Sequence, residues 1–140
     1  MANALRKAFQ ATKVSKVGSG KGFDFRLIYD NGKEELVEVK TDFMSSKTGN
    51  LFFEYSCNGK DSGLKSTEAQ KWAILIPHLQ EILVTCPQKL FGYLLASTPR
   101  ELKGGDRKAV KGYIVAIDDI KKLAFVKSIP TNTRIEKTLT

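Results

Sequence analysis

This 140-residue chain is poor in the residues that build disulfide frameworks and zinc sites, with two cysteines and one histidine. Cys57 and Cys86 are too few for a disulfide scaffold, so a reducing cytoplasm is the simpler setting. A structural zinc site is not expected, because His78 is the one histidine and no Cys-x-x-Cys pair occurs. A Ser-His-Asp catalyst would have to use His78, and no nucleophile-elbow motif accompanies it. The composition therefore argues against zinc-dependent folding and against serine-hydrolase chemistry.

Long apolar runs are also missing. The apolar stretches are short and broken by charges, so the sequence predicts no membrane span. Residues 1–23 have no apolar core of the kind that a signal peptide needs. With 41% hydrophobic and 27% charged residues, the chain is expected to fold as one soluble globular domain. We place this domain at residues 1–127, followed by a polar tail at 128–140, and expect it in the cytoplasm.

Acidic residues are outnumbered by basic ones. The chain has 23 Lys and Arg against 15 Asp and Glu, which gives a net charge of +8. This charge favours a polyanionic partner, although a basic surface kept for solubility gives the same count. Residues 1–23 contain no acidic residue, and a second basic segment surrounds a Gly-Gly pair. Flexible basic segments suit a phosphate backbone, and solvated loops are the alternative. The basic residues of the two segments are Arg6, Lys7, Lys13, Lys16 and Lys21, then Arg100, Lys103, Arg107, Lys108 and Lys111.

Hydrophobic periodicity and turn residues predict a mixed α/β domain with elements in the order α-β-β-β-α-β-β-α-β-α. Thr67, with Gln70 three residues later, fits a capping box and predicts that a short helix begins there. Outside the hairpin described next, strands are expected over 51–57, 73–76, 81–85 and 112–116. The other helices are expected over 2–12, over 87–97, and from a cap at Asp118 to residue 124.

The most informative stretch is residues 23–40, which we interpret as a hairpin around the turn Asp-Asn-Gly-Lys at 30–33. Asp and Asn tolerate tight reversals and Gly accepts a positive φ, which predicts a type I turn with Gly32 as a bulge residue. This turn pairs Tyr29 with Lys33. The same register places Asp24 opposite Glu38.

The hairpin separates polar from apolar side chains, because side chains alternate between the two faces of a strand. Asp24, Glu38 and Lys40 share one face. A register shifted by one residue would expose the apolar set. Because burying each member is worth about 1.5–3 kcal/mol, the shifted register should be less stable. The apolar set on the opposite face is Phe23, Phe25, Val37 and Val39.

Two carboxylates beside an amine suit metal-dependent hydrolysis of a phosphodiester. Mg²⁺ is held by one or two carboxylates plus waters, and it supplies both a nucleophilic water and charge stabilisation. We predict that Asp24 and Glu38 ligate the metal, with the backbone carbonyl of Val39 as a third ligand. Lys40 would orient or deprotonate the attacking water, or neutralise the phosphate. Glu54 is either an additional ligand or an ordinary exposed strand residue.

The arrangement Asp24…Glu38-Val39-Lys40 resembles the PD-(D/E)XK nuclease superfamily, which has the restriction-endonuclease-like fold. Three strings are similar to small, phage-type members: Glu-Val-Lys-Thr-Asp at 38–42, Thr-Gly-Asn-Leu-Phe-Phe-Glu-Tyr at 48–55 and Ser-Gly-Leu-Lys-Ser-Thr at 62–67. The core of the resemblance covers roughly residues 2–76. It implies a central mixed sheet flanked by helices, with a divalent metal at the Asp and the Glu-x-Lys residues.

Two positions depart from the family pattern. Phe23 stands where a proline usually precedes the motif aspartate, and the first helix offers no acidic residue where many members place a metal-linked glutamate. Gln10 is the nearest polar substitute. Either the site works with the three hairpin residues, helped by Glu54, or its catalytic power is reduced.

Contacts with DNA are expected from the basic segments and from the helix predicted at residue 67. That helix would present backbone N–H groups to a phosphate, although its first residues could serve as simple caps. The residues expected to contact DNA are Lys13, Lys16, Lys21, Lys60, Lys65, Ser66, Thr67, Arg107 and Lys108.

The sequence thus predicts a Mg²⁺-dependent DNA endonuclease of phage or mobile-element type, with Mn²⁺ as a substitute metal. A phage-encoded protein would act in the host cytoplasm. The resemblance implies a homodimer, because small members often need two active sites to cut both strands or to resolve branched or junction DNA. Two alternatives remain open. One is a catalytically inactive DNA-binding module on the same fold, and the other is a protein-interaction domain whose basic loops meet an acidic partner.

Overall fold

The computed structural model describes residues 1–17, 24–104 and 109–131. Within these residues the chain forms four helices, ten strands and two short 3-10 turns, at Gly63–Lys65 and Pro77–Leu79. The helices are α1 (Ala2–Ala8), α2 (Ser45–Thr48), α3 (Pro87–Ser97) and α4 (Ile117–Lys121). The strands are β1 (Lys13–Lys16), β2 (Phe25–Ile28), β3 (Glu34–Thr41), β4 (Asn50–Cys57), β5 (Lys60–Asp61), β6 (Lys71–Ile76), β7 (Glu81–Thr85), β8 (Arg100–Gly104), β9 (Val110–Ala116) and β10 (Val126–Pro130).

The strands form two sheets. The larger sheet has the order β1-β2-β3-β6-β7-β10, and the smaller has the order β5-β4-β9-β8. In the larger sheet β3 and β6 run parallel, and the other neighbours run antiparallel. The protein is therefore mixed α/β, with a mixed sheet flanked by a few helices, which confirms the predicted class at that level. None of the helices in the described ranges is long and apolar enough to cross a membrane.

The hairpin of β2 and β3 forms in the predicted register. Phe25 lies opposite Val37, which is the pairing that the turn at 30–33 dictates. Gly32 has a φ of 83°, the left-handed conformation that a bulge residue requires and that glycine adopts without steric cost. The paired register ends at Phe25 and Val37. Asp24 directly precedes β2 and donates its N–H to the Val37 carbonyl at 2.8 Å, so the predicted pairing of Asp24 with Glu38 is not part of the ladder.

One face of the larger sheet is covered by α1. Leu5 of that helix is fully buried against a cluster that includes Leu27, Val37, Ala73 and Ile82 from four neighbouring strands. Along the hairpin strands, Leu27 and Val37 alternate with the polar side chains, so the apolar face of the hairpin packs into this core. Burying each large side chain is worth about 1.5–3 kcal/mol, which fixes the strand register.

The other face of the larger sheet carries the second core. Trp72, Ile74 and Ile76 of β6 are buried there against α3, which contributes Leu90 and Leu94. The smaller sheet completes this cluster through buried residues of β4 and β9. Because Glu38 and Lys40 lie on the same face as the β6 residues, the polar face of the hairpin meets the smaller sheet and not α1.

The helix predicted from Thr67 does not form, and β6 begins at Lys71 instead. The two capping-box residues make long-range contacts. The Thr67 hydroxyl donates to Glu38, and the Gln70 side-chain oxygen accepts from the Leu36 backbone N–H at 2.6 Å. These contacts to β3 tie the 67–70 segment to the sheet, so the local signal for a helix is overridden by tertiary partners.

The predicted basic loop after α3 is partly a strand, because β8 runs through its first residues and pairs with β9. The prediction of a polar tail from residue 128 places the start of that tail too early. β10 pairs with β7 as far as Pro130, and Ile129 is buried in the α1-side core. Residues 132–140 lie outside the described ranges.

Two helices are shorter than predicted. α1 ends at Ala8 and not at residue 12, because Gln10 adopts a left-handed backbone with a φ of 55° and turns the chain towards β1. α4 ends at Lys121 and not at residue 124. Asp118 lies in its first turn, and Ala116 holds the N-cap position.

A polar cluster on the α1 face links the hairpin to β6. The Tyr29 hydroxyl donates to Glu35 Oε1 at 2.5 Å, and Lys71 Nζ lies 3.1 Å from the same oxygen. Burial alone raises the pKa of the Glu35 carboxyl, but the hydrogen bonds from Tyr29 and Lys71 outweigh it and lower the pKa from its ordinary value of 4.5. Burial, followed by the bond to Glu35, raises the pKa of Tyr29.

This cluster should make stability depend on acid pH. Because the folded-state pKa of Glu35 lies below the unfolded value, the ionised carboxyl stabilises the fold above pH 4.5, and that contribution is lost as the pH falls through the folded-state pKa. We expect Glu35→Gln to lower the free energy of unfolding at neutral pH by about 1–2 kcal/mol and to flatten its decline in acid. Urea unfolding across this range measures it. Glu34→Gln, which changes an exposed carboxyl, is the matched control, and equal acid profiles for all three proteins would contradict the assignment.

Candidate active site

The three hairpin residues come together at the end of the hairpin that lies away from its turn. Asp24 directly precedes β2, and Glu38 and Lys40 lie two residues apart near the end of β3. In the parallel pair, Glu38 lies beside Trp72 and Lys40 beside Ile74. Glu38 and Lys40 therefore share the face that meets the smaller sheet.

Glu38 is the most enclosed of the three, with 13% of its side chain exposed. Its Oε1 accepts a hydrogen bond from the Thr67 hydroxyl at 2.8 Å, and its Oε2 lies 3.1 Å from Lys40 Nζ. The two contacts hold the carboxylate from opposite sides. They fix its orientation before any ligand arrives, which is what a site needs if it is to lose little entropy on binding.

Lys40 reaches over a buried aromatic ring into solvent. Its side chain is 52% exposed, and its Nζ lies 5.4 Å from the centroid of the Trp72 ring. A cation at this distance from the face of an indole is attracted by the ring quadrupole. The Glu38 carboxylate and the Trp72 ring are thus the two groups that Lys40 Nζ contacts at the rim of the site.

Asp24 turns its carboxylate onto the backbone of β3. Its Oδ2 accepts a hydrogen bond from the Val39 N–H at 2.8 Å, and its own N–H donates to the Val37 carbonyl at 2.8 Å. In an antiparallel ladder the N–H and the C=O of one residue face the same neighbouring strand. The Val39 carbonyl therefore faces the edge where the Asp24 carboxylate sits.

These donors fit a hard divalent cation. Asp24, Glu38 and the Val39 carbonyl are all oxygen donors, the kind that Mg²⁺ takes together with several waters. Each carboxylate offers about four lone-pair positions, and the contacts above leave positions free on both. Within the described ranges no three His, Cys, Asp or Glu side chains gather into one metal-binding group. The predicted set needs none, because it uses two carboxylates and one carbonyl.

A cleft of about 320 Å³ opens between the two sheets beside Lys40, and we call it the central cleft. Its walls include Lys40, Asp42, Glu54, Gly63 and Trp72. The structure thus brings Glu54, a predicted additional ligand, into the same cleft as Lys40. Asp42 and Glu54 are the acidic residues in the lining of this cleft, which does not include Asp24 or Glu38.

Gly63 holds the wall of the central cleft close to Glu54. Its φ is 54°, and a Cβ added there would overlap the Glu54 carbonyl oxygen. Glycine is needed here for both reasons: a side chain would be strained by the left-handed backbone and would push β4 away.

We expect Gly63→Ala to destabilise the protein by at least about 3 kcal/mol, the sum of left-handed strain and overpacking. Gly59→Ala is the matched control, because Gly59 also has a positive φ of 76° but has open space around its Cβ position. That variant should lose about 1–2 kcal/mol. Thermal and urea unfolding measure both, and equal losses would show that the contact with Glu54 is not tight.

Three of the predicted DNA-binding residues, Lys60, Lys65 and Ser66, lie in the segment that follows β4. Lys60 is exposed on β5. Lys65 Nζ lies 3.1 Å from Asp61 in an exposed ion pair, and the Ser66 hydroxyl donates to the Gly63 carbonyl at 3.5 Å. None of these contacts includes the three hairpin residues.

The N-terminal lysines lie on β1, the edge strand beside β2, and both are exposed. Lys13 is opposite Ile28 and therefore shares the face of Glu38 and Lys40, whereas Lys16 is opposite Phe25 on the α1 face. The structure thus separates two residues that the sequence groups together. Four other predicted residues lie outside the described ranges: Lys21, Phe23, Arg107 and Lys108.

Gln10 does not join the site. It follows α1, which covers the opposite face of the larger sheet. The chain just beyond it, at Thr12, bonds through its N–H to the Ile28 carbonyl at 2.8 Å, at the end of β2 far from Asp24. The expectation that Gln10 takes the place of the metal-linked glutamate of the first helix is therefore wrong for this structure.

Thr67 and Trp72 make contacts with the hairpin residues that the sequence does not predict. Thr67, predicted as a helix cap or phosphate contact, donates to Glu38. Trp72 is buried in the core, and its ring lies under Lys40. The two-residue spacing of Glu38 and Lys40 indicates a shared face, but only the parallel pairing of β3 with β6 reveals which ring lies beneath them.

Comparison with known proteins finds no match: no protein-family model, no curated protein and no solved structure matches this chain.

Proposed function

We propose that this protein is a divalent-metal-dependent DNA endonuclease, built on a restriction-endonuclease-like fold of the PD-(D/E)XK type. The observation that carries the proposal is the contact of the Asp24 carboxylate with the Val39 N–H, which sets Asp24 beside the segment where Lys40 Nζ lies 3.1 Å from Glu38. A mixed sheet, with Lys40 of its hairpin lining the central cleft, supports it. The basic chain supports DNA as the substrate, because phosphate neutralisation supplies most of the sequence-independent affinity for DNA.

In this proposal Asp24, Glu38 and the Val39 carbonyl would hold Mg²⁺, for which Mn²⁺ substitutes. When bound, the metal supplies an activated water and stabilises charge on the scissile phosphate. The residues of the chain do the positioning. Thr67 fixes the orientation of the Glu38 carboxylate through its 2.8 Å hydrogen bond.

Lys40 has the role of an electrostatic partner for the scissile phosphate. The sequence leaves two roles open for this amine, deprotonating the attacking water or neutralising the phosphate. Its Nζ lies 3.1 Å from Glu38 Oε2 and 5.4 Å from the centroid of the Trp72 ring, at the wall of the central cleft, and we assign it the second role. A preorganised positive charge of this kind, aimed at developing negative charge, is one of the largest single contributions to catalysis.

Lys13 and Lys60 are proposed to contact the phosphate backbone of DNA, because both are exposed on strands. A homodimer with two active sites would cut both strands or resolve a junction. The site of action would be the cytoplasm.

The direct test is incubation of supercoiled, linear and four-way-junction DNA with the protein, in Mg²⁺ and in EDTA. The proposal predicts Mg²⁺-dependent cleavage of at least one of these DNAs and none in EDTA. Cleavage that continues in EDTA, or that is absent with every substrate both in Mg²⁺ and in a parallel incubation with Mn²⁺, would reject it.

A second candidate function is DNA binding without catalysis. It is favoured by the contacts of Glu38, whose two carboxylate oxygens already have protein partners, and by the absence of an acidic residue from α1. In this case DNA binding would weaken steeply with salt, as counterion release requires, and no metal would produce cutting.

A further inference from the structure

Phe43 exposes more of its surface than any other large apolar side chain in the described ranges, at 70%. It lies three residues after Lys40, in the loop that leaves β3. Exposing a ring of this size to water loses the roughly 1.5–3 kcal/mol that burial would provide. An aromatic ring held in solvent beside a candidate active site is therefore a candidate for contact with a ligand.

The loop that carries Phe43 lies beside the loop after β6. The two strands are parallel, Thr41 is paired with Leu75, and the Asp42 N–H donates to the Leu75 carbonyl at 2.9 Å. Both strands therefore end at the same edge of the sheet. In open α/β sheets, ligands bind outside the carboxyl ends of parallel strands.

A second cleft, of about 340 Å³, opens at this edge, and we call it the terminal cleft. It is lined by Asp42, Phe43, Ser46, Pro77 and His78. Three of these five side chains carry rings, and one of those rings is the polar imidazole of His78. The Ser46 hydroxyl donates to the Phe43 carbonyl at 2.9 Å, and the Asp42 carboxylate accepts from the Ser45 N–H at 3.0 Å. Asp42 also lines the central cleft, so the two clefts share a wall.

We propose that the terminal cleft receives an unpaired nucleobase of DNA, stacked on the ring of Phe43. The inference rests on the proposed nuclease function and specifies its substrate as single-stranded or branched DNA. Three residues of extended chain span at most about 11 Å, so a base seated on Phe43 keeps its strand within reach of Lys40. The positive charge of the chain attracts the strand, and the ring supplies the contact to the base.

The ring selects unpaired bases for a physical reason. In a duplex both faces of each base are covered by its neighbours, so stacking on Phe43 would first require unstacking, which costs a few kcal/mol. An unpaired base offers a free face, and stacking on an aromatic side chain tolerates any base because every base has a π-face. The terminal cleft therefore distinguishes DNA structure and not DNA sequence.

The test compares Phe43→Ala, Phe43→Leu and Phe43→Tyr in equilibrium binding to a labelled single strand, a four-way junction and a linear duplex. EDTA is present throughout, so that cleavage does not interfere. We expect Phe43→Ala to weaken binding to the single strand and the junction by about 5- to 100-fold, the usual loss for one stacked base, and to leave duplex binding unchanged. Phe43→Tyr should bind as the unmodified protein does. Phe43→Leu should behave like Phe43→Ala, because leucine keeps the apolar character and removes the ring.

Leu95→Ala is the matched control, because Leu95 is 53% exposed on α3, on a different element. It should leave all three affinities unchanged. The inference is overturned if Phe43→Ala binds every DNA as well as the unmodified protein, if it weakens duplex binding equally, or if Leu95→Ala loses as much.

The failure of this inference is distinguishable from the failure of the proposed function. If the protein cleaves DNA in Mg²⁺ while Phe43→Ala binds as the unmodified protein does, the nuclease stands and the base site is rejected. If the unmodified protein neither binds any of the three DNAs nor cleaves any of them in Mg²⁺, both are rejected.

Discussion

Replacing Glu38 with glutamine is expected to lower the rate of Mg²⁺-dependent DNA cleavage by about 10²–10³-fold or more, and to leave the fold intact. Glutamine keeps the shape of the side chain, and its amide oxygen still accepts the hydrogen bond from Thr67. It removes the negative charge that the proposed metal site requires. The loss should therefore appear in the rate of cutting and not in the thermal unfolding curve.

A companion variant separates the charge of Lys40 from its packing. Lys40→Met keeps an unbranched apolar stem over the Trp72 ring and removes the ammonium. We expect a loss of cleavage similar to that of Glu38→Gln, because the phosphate is no longer neutralised. Plasmid nicking followed by gel electrophoresis measures both rates.

Glu34→Gln is the matched control for both variants. Glu34 lies at the other end of β3, with 52% of its side chain exposed, and pairs with Arg26. It should cut DNA at the unmodified rate. Cleavage that survives Glu38→Gln or Lys40→Met, or that falls equally in Glu34→Gln, would show that the site is misassigned.

Replacing Thr67 with valine is expected to reduce cleavage by about 10- to 100-fold, the usual effect of removing a group that orients a metal ligand. Valine matches the shape of threonine and lacks the hydroxyl that donates to Glu38. The carboxylate is then held by Lys40 alone and loses its fixed orientation. Thr67 acts through Glu38, so it is a positioning residue.

The valine variant should need more Mg²⁺ for half-maximal cleavage, whereas a purely structural role would change only the unfolding free energy. Thr67→Ser, which keeps the hydroxyl, should recover most of the activity. The hydroxyl also accepts from the Ala69 N–H at 3.2 Å, so a loss of about 1 kcal/mol in stability is expected for valine. An unchanged Mg²⁺ dependence, with activity falling only as the protein unfolds, would contradict the positioning role.

The hairpin could be predicted from the sequence because its signals are local. Alternation and the Asp-Asn-Gly turn fix the register, and a slip by one residue would move Val37 from the core to solvent. The helix α3 was likewise predictable from Pro87 at its first position and an apolar stripe through Leu90 and Leu94. In both cases neighbouring residues decide the outcome.

The rest depends on partners far away in the sequence. The capping-box residues Thr67 and Gln70 bind β3 instead of a helix end. β4 was predicted as a strand, but its pairing with β9 in a separate sheet involves residues about sixty positions apart and has no local signal. The same holds for the meeting of Lys40 with Trp72, which follows from the parallel register of β3 and β6.

The measurement that tests the account most directly is anomalous diffraction from a crystal soaked in Mn²⁺. The account predicts a peak bonded to the Asp24 and Glu38 carboxylates and to the Val39 carbonyl, with Lys40 beside it. A Mn²⁺ peak elsewhere with none at these atoms, or Asp24 and Glu38 side chains turned away from each other, would contradict the metal-dependent site on which the proposed nuclease depends.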